Sequence, residues 1–314
     1  MKTRTLLQAR SLNRRIGDYL RQPRAGYILA TFDRSCYLDM DGQIVALVAP
    51  ALLNGPLNLV VDIDAWQDRV TPGAVAASTD HALRIDGGID IGLHDAAVWD
   101  ATLQGWPEEQ FPMLRAHLPT LQRLLDREAP EGGLARAVSH PNASTAALER
   151  RAAPAIVELA RGLQRRDALL VSRAAGALAG LGPGLTPSGD DVLVGSLLAL
   201  ALHADDSRVM RQAIISAVRD RTTRISMAYL EAAARAEGSE SWHRLVAALA
   251  PYHPASSAAA SSKTSTPDGT GLAVDDPGRI AGAARGVMAF GETSGSDMLS
   301  GFALAAEALL ESSQ

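Results

Sequence analysis

The stretch GLGPGLTPSGDDVLVG spans residues 180–195 and leads directly into the most apolar run of the chain, VLVGSLLALAL at residues 192–202. Glycines let a backbone turn tightly and approach a ligand, and the unpaired N–H groups at a helix start carry partial positive charge. A glycine-rich turn that opens a helix therefore favours binding of a phosphate or a carboxylate. We expect a buried helix over residues 188–204, with an anion site at its start.

Part of this stretch recurs near the C-terminus, in GETSGSDMLSG at residues 291–301. Glycine inside a helix lowers helix stability by roughly 1 kcal/mol relative to alanine. The presence of glycine at Gly195 and Gly301 therefore requires an explanation. Each follows an aspartate by four residues, and glycine on that face allows another backbone to come close. We expect the two helices to touch and their starts to meet. The matched positions are Ser188 with Ser294, Gly189 with Gly295, Asp191 with Asp297, Leu193 with Leu299, and Gly195 with Gly301.

Helix capping is the simpler explanation for part of this pattern. Ser188 with Asp191, and Ser294 with Asp297, fit a capping box, in which the acid three residues on bonds back to the cap. A competing assignment makes Thr186 the N-cap and places Pro187 at the first helical position. Capping leaves Asp190 unexplained, and Asp190 is therefore the first candidate for chemistry.

The predicted site combines N–H groups, hydroxyls and acids. The carboxylates could hold Mg²⁺ that bridges to phosphate, act as general acid or base, or only cap helices. Mg²⁺ is the cofactor that these acids could bind, and the sequence does not identify its ligands. The candidate catalytic residues are Asp190, Asp191 and Asp297, and the candidate substrate- or phosphate-binding residues are Gly182, Gly184, Thr186, Ser188, Gly189, Thr293, Ser294, Gly295 and Arg224.

A bound phosphate would repel these acids, so a metal, a protonated aspartate or a nearby arginine must offset the charge. Arg224 lies in TTRIS, residues 222–226, at the start of an amphipathic helix. It is one possible partner of the anion, and an ordinary surface arginine is the alternative.

Outside these motifs, the pattern predicts an α+β fold, with an antiparallel β-rich domain over residues 1–105 and a mainly helical domain over 106–314. Asp41-Gly42 and Asp86-Gly87-Gly88 are hairpin turn signals between short apolar runs. Residues 253–278, rich in small and polar side chains, indicate a mobile loop. The predicted strands cover 27–32, 36–40, 44–48 and 57–63, and the predicted helices cover 107–127, 146–164, 167–179, 188–204, 207–236, 240–250, 278–290 and 295–311.

Composition excludes several classes of protein. The chain has 314 residues, 47% of them hydrophobic, and a formal net charge of -5, which does not favour nucleic-acid binding. The single cysteine, Cys36, cannot form an internal disulfide, and no zinc, P-loop, HExxH or GxSxG pattern is present. No run is long enough to cross a membrane, and the first twenty residues lack the apolar stretch of a secretory signal, so we expect a cytoplasmic protein.

The two glycine-rich segments, at 182–195 and 291–301, together with TTRIS, resemble the AllH family. The likeness covers the C-terminal half well and the first hundred residues loosely. It implies a subunit of an oxamate carbamoyltransferase that works with AllF-like and AllG-like subunits in anaerobic allantoin catabolism. That enzyme converts oxalurate and phosphate to oxamate and carbamoyl phosphate.

Three functions follow from these features. The first is a carbamoyltransferase subunit that is active only in complex and binds a small anionic ureido or carbamoyl substrate. The second is a noncatalytic partner that holds another subunit or binds an effector. The third is a metal-dependent hydrolase of small amides, which has only the acid cluster in its support.

Overall fold

The computed structural model describes residues 4–203, 207–250 and 277–312. Strands fill its N-terminal part and helices the remainder. The strands are β1 Thr5–Asn13, β2 Arg24–Thr31, β3 Ser35–Met40, β4 Gln43–Val48, β5 Asn58–Val61, β6 Val75–Ser78, β7 Ala82–Ile85, β8 Ile89–Gly92 and β9 Ala97–Trp99. The helices are α1 Arg14–Leu20, α2 Phe111–Glu128, α3 Ala135–Ser139, α4 Ala147–Gln164, α5 Ala168–Leu178, α6 Ser188–Leu202, α7 Arg208–Val218, α8 Arg224–Ala234, α9 Glu240–Leu249, α10 Pro277–Met288 and α11 Ser294–Ser312.

The strands form a closed barrel. They follow the order β5-β4-β3-β2-β6-β7-β8-β1, and β1 also pairs with β5, which closes the sheet. Three of the pairs, β1 with β8, β1 with β9 and β4 with β5, are parallel, so the barrel is mixed rather than purely antiparallel. Closure removes the exposed edges of an open sheet.

Alternation along the strands places apolar side chains inside the barrel, where Ile28, Leu38, Leu47 and Ile91 are at most 1% exposed. Both predicted hairpin turns are confirmed. Asp41 and Gly42 have φ of 46° and 90° between β3 and β4, as a type I′ turn requires. The predicted strands do not include β1, whose mixed polar and apolar residues give no clear pattern. They also leave out the short strands β6, β7, β8 and β9.

α6 lies at the centre of the helical region. Every residue from Ser188 to Leu202 is buried, so this helix has no polar face. It packs against α11, α8, α7 and α5. The predicted buried helix is confirmed.

The prediction of a single helix over 207–236 is wrong. The chain forms α7 and α8 instead, separated by a turn in which Asp220 has φ of 61°. α8 begins at Arg224, where TTRIS indicated a helix start, and the Thr223 side chain caps it by accepting from the Ser226 N–H at 3.0 Å.

The outer face of the barrel packs against the start of α8. Tyr37, Ile44 and Val48 on the outer face of the barrel form a buried cluster with Ile225. An ion pair between Arg224 and Asp39 joins the same two elements. The barrel therefore contacts the helical region beside the glycine-rich turn.

The α+β class, with strands first and helices afterwards, is confirmed. The expected boundary near residue 105 falls between β9 and α2 and stays a prediction. Most of the predicted loop at 253–278 lies outside the described residues, and α10 begins at Pro277. No helix in the described part of the chain is long and apolar enough to span a membrane.

Candidate functional site

α6 and α11 meet backbone to backbone. A Cβ atom added at Gly195 would lie 1.7 Å from the carbonyl oxygen of Met298, and one added at Gly301 would lie 2.0 Å from that of Val192. The Ser196 hydroxyl also donates to the Gly301 carbonyl oxygen, at 3.2 Å. The expected contact between the two helices is confirmed, and it explains why glycine occupies both positions.

The starts of the two helices repeat one arrangement. A Cβ at Gly189 would lie 2.1 Å from the carbonyl oxygen of Leu178 in α5, and one at Gly295 would lie 2.1 Å from that of Val287 in α10. The sequence repeat therefore corresponds to two similar helix pairs, α5 with α6 and α10 with α11, that face each other.

Serine and aspartate interact across the two repeats rather than within them. The hydroxyl of Ser294 acts on the carboxyl of Asp191 and lowers its pKa, and the hydroxyl of Ser188 does the same to Asp297. Thr186 and Ser294 are also in contact, with their hydroxyl oxygens 3.2 Å apart. The two motifs thus assemble into one crossed cluster.

Both cap assignments for α6 are wrong. Pro187 occupies the N-cap position and no side chain caps the helix. Asp191 interacts with the other repeat, and the Thr186 hydroxyl contacts Ser294, so neither side chain serves its own helix start.

Asp191 and Asp297 are buried acids, 2% and 1% exposed. In Asp297, Oδ1 accepts the N–H groups of Leu134 at 2.6 Å and Ala135 at 3.0 Å. The Oδ2 atom of each acid has no hydrogen-bond partner among the described residues. A buried carboxyl oxygen without a donor is costly, which marks this pair as a site for a ligand or a proton.

Burial is the main influence on both acids. It raises the pKa of Asp297 to about 6, although the Leu134 N–H and the Ser188 hydroxyl offset part of the effect. Burial raises the pKa of Asp191 well above its usual range, and the charge of Asp297 raises it further. Both carboxyls therefore keep a proton to higher pH than an exposed aspartate does.

Asp190 has a different environment from the crossed pair. Its Oδ1 accepts the Gly180 N–H at 2.9 Å, and its Oδ2 accepts the Thr222 hydroxyl. It connects the start of α6 to the end of α5 and to the turn before α8. With both oxygens occupied, Asp190 is suited to positioning the glycine-rich turn.

The glycine-rich turn keeps only part of the predicted cradle of N–H groups. The N–H of Gly189 donates to the Leu181 carbonyl and that of Gly295 to the Phe290 carbonyl, each at 2.8 Å. The N–H groups of Ser188 and Ser294 find no acceptor among the described residues. Gly182 and Gly184, with φ of 124° and 90°, give the turn its shape, and Thr293 acts on the Asp297 carboxyl.

Arg224 is paired with the barrel, and its role as a partner of the bound anion stays a prediction. The Arg224 guanidinium forms an ion pair with Asp39 on the barrel, and its Nη1 lies 3.5 Å from the Tyr27 hydroxyl. Within the described ranges, no three His, Cys, Asp or Glu side chains converge as ligands for a metal ion. Of the three ways to offset a bound anion, the raised pKa values of Asp191 and Asp297 favour a protonated aspartate.

Two buried tyrosines that the sequence did not predict as site residues are influenced by the charge of Asp191. Tyr37 of β3 and Tyr229 of α8 place their hydroxyl oxygens 3.2 Å apart. Burial raises the pKa of both phenols, and the charge of Asp191 raises both further. Tyrosine hydroxyls in otherwise apolar segments were the available signal, since a buried phenol needs a polar partner.

The structure defines a two-part α+β protein in which a mixed barrel adjoins two facing helix pairs with buried acids at their starts. The chain belongs to the AllH family. Residues 8–98 match the AllH family N-terminal domain, and residues 178–270 match the oxamate carbamoyltransferase subunit AllH. No curated protein and no solved structure matches the chain. The repeat at Ser294 lies outside both matched segments.

The contact between α6 and α11 generates a stability prediction. Gly195→Ala should lower the free energy of unfolding by about 2 kcal/mol or more, because its Cβ would collide with a backbone carbonyl that cannot move alone. Gly282→Ala in α10 is the matched control, because a Cβ there meets nothing within 4 Å. Denaturant unfolding should show the control unchanged or more stable by up to about 1 kcal/mol. Equal stability of the two variants would contradict the contact.

The raised pKa of Asp297 makes stability depend on pH. Its carboxyl holds a proton more tightly in the folded chain than in the unfolded chain, so the associated stability is complete below about pH 4 and is lost as pH rises through about 6. Asp297→Asn should remove a pH-dependent change on the order of 2–3 kcal/mol between pH 4 and 7. The same substitution at the exposed Asp64 should leave the pH curve of denaturant unfolding unaltered.

Proposed function

We propose that this chain is a subunit of an oxamate carbamoyltransferase-like complex that converts oxalurate and phosphate to oxamate and carbamoyl phosphate. The observation that carries the proposal is the pair of unpartnered buried Oδ2 atoms, of Asp191 and Asp297, in a chain of the AllH family. An acid and a carboxylate in one cluster would supply the two proton transfers that this reaction needs.

The helix starts are the proposed anion site. The N–H groups of Ser188 and Ser294, the first residues of α6 and α11, remain available to phosphate or to a substrate carboxylate. The hydroxyl of Thr186 lies beside them. Two helix dipoles directed at one point favour a negative charge there. Gly182 and Gly184 shape the neighbouring turn.

A protonated Asp191 removes the conflict between the acids and an anionic substrate. Two ionised carboxylates would repel phosphate, whereas an acid next to a single carboxylate halves that charge. The acid also donates a hydrogen bond, which a carboxylate cannot do. This arrangement needs neither a metal nor Arg224 at the reacting atoms.

The proposed reaction conserves atoms and charge. An oxygen of hydrogen phosphate attacks the ureido carbonyl carbon of oxalurate, forming a C–O bond, and its proton passes to the Asp297 carboxylate. The bond from that carbon to the oxamyl nitrogen then breaks, and the nitrogen takes the proton of Asp191. Transfer of the proton from Asp297 to Asp191 restores the pair. N–H groups at the helix starts stabilise the oxyanion that forms on the carbonyl oxygen.

Substrate entry requires the turn over residues 182–187 to move, because both carboxyls are at most 2% exposed. The tip of the turn, residues 183–185, is exposed and includes a glycine with positive φ. We propose that binding of AllF-like and AllG-like subunits opens this turn. The complex would then act in the cytoplasm in allantoin nitrogen catabolism, and the isolated chain would be inactive.

A noncatalytic role is the second candidate, and one observation favours it. Asp297 accepts the N–H groups of Leu134 and Ala135 and so supports the start of α3. In this alternative, the crossed cluster stabilises a surface that holds a partner or binds an effector, and chemistry occurs in another subunit.

The assembled complex separates these candidates. The chain mixed with AllF-like and AllG-like proteins should form carbamoyl phosphate from oxalurate and phosphate, and the chain alone should not. Asp191→Asn and Asp297→Asn should each lower kcat by at least about a hundredfold, the usual contribution of a general acid or base, without preventing assembly. Activity of the wild-type complex should rise with pH through about 6, as Asp297 loses its proton.

Asp64→Asn, on the exposed surface of the barrel, is the matched control for both substitutions. Turnover at the wild-type rate by both site variants, combined with weaker assembly, would favour the noncatalytic role. Absence of carbamoyl phosphate from every combination would contradict the proposed reaction.

A further inference from the structure

The hydroxyls of Tyr37 and Tyr229 carry two protons, and the hydrogen bond between them uses only one. The two oxygens are 3.2 Å apart, and either one can donate to the other. One proton is thereby engaged and the second remains. Among the described residues, no other atom accepts a hydrogen bond from either hydroxyl. Buried hydroxyl groups are normally satisfied, so the second proton points to a missing partner.

The Asp191 carboxyl lacks a hydrogen-bond donor for one of its oxygens. Its Oδ2 atom is buried and accepts no hydrogen bond among the described residues. The two tyrosines are close enough to feel its charge, yet no hydrogen bond joins either hydroxyl to its carboxyl. Tyr229 lies on α8, which packs against the helix α6 that carries Asp191, so the spare donor and the spare acceptor belong to adjoining elements. A small group that both accepts and donates would satisfy both.

We propose that Tyr37, Tyr229 and Asp191 together bind a primary amide, the carbamoyl-type end of oxamate. The amide carbonyl oxygen accepts the spare phenolic proton, and one amide N–H donates to Asp191. This inference rests on the proposed function for the identity of the ligand. It agrees with that reaction, because the nitrogen that receives the proton of Asp191 is the one that becomes the oxamate amide.

The surrounding side chains suit a flat, uncharged group. Tyr37 packs edge-on against Phe32, and Tyr229 against Phe290, each with ring centroids 6.1 Å apart. Phe290 also accepts the Gly295 N–H through its carbonyl oxygen, which fixes the start of α11. Because Tyr37 comes from β3 and Tyr229 from α8, the barrel and the helical region would both contribute to amide recognition.

Comparison of oxamate with pyruvate tests this assignment. Pyruvate has a methyl group in place of the amide nitrogen and is otherwise similar in shape and charge. Titration calorimetry should use the full chain, both alone and assembled with the AllF-like and AllG-like subunits. We expect at least one of these preparations to bind oxamate at least tenfold more tightly than pyruvate. Tyr37→Phe and Tyr229→Phe should each weaken oxamate binding about tenfold, the effect of one lost hydrogen bond.

Tyr19→Phe is the matched control, because the Tyr19 hydroxyl donates to the Met40 carbonyl oxygen at 2.9 Å elsewhere in the barrel. It should leave oxamate binding unchanged, and thermal unfolding should confirm that all three variants fold. The inference is overturned if pyruvate binds as tightly as oxamate, if both tyrosine variants bind oxamate like the wild type, or if neither preparation binds oxamate, which would mean that the region holds only water.

Failure of this inference is distinguishable from failure of the proposed function. Carbamoyl phosphate formation together with tyrosine variants that bind oxamate normally would overturn only the amide assignment. Tyrosine-dependent oxamate binding without carbamoyl phosphate formation by any combination of subunits would overturn only the reaction.

Discussion

The direct contact between the backbones of α6 and α11 determines the rest of the helical region. Gly195 and Gly301 bring the two helices so close that a methyl group at either position would collide with a carbonyl group. This proximity brings the two Ser-Gly-x-Asp helix starts together. Each aspartate therefore interacts with the serine of the opposite helix. The site therefore follows from helix packing.

Burial of the acids gives the site its chemical character. The one arginine predicted as a partner of the anion, Arg224, is engaged by Asp39. In the described part of the chain, Asp191 and Asp297 interact with hydroxyls, backbone N–H groups and neighbouring acids. Under these conditions a shared proton costs less than two buried charges. The same environment suits neutral or singly charged polar ligands with hydrogen-bonding groups of both kinds.

Local signals in the sequence predicted much of this molecule. Turn glycines, the apolar run after Asp191 and the repeated spacing gave the hairpins, the central helix and the meeting of the two starts. Cap positions and roles within the acid cluster were not predictable, because they depend on contacts between distant residues. Asp190 was unusual in the repeat, but its oxygens are occupied by Gly180 and Thr222. The pairing of Tyr37 with Tyr229 could not be predicted, because the two residues lie 192 positions apart in the sequence.

The uniformly apolar surface of α6 has a consequence for biosynthesis. During translation this helix leaves the ribosome long before α11 is made, and until then the surface that α11 covers stays open to water. Exposed apolar surface of this kind makes incomplete chains prone to aggregation. We therefore expect this chain to fold with the help of a chaperone, or in an order in which α5, α7 and α8 cover α6 first.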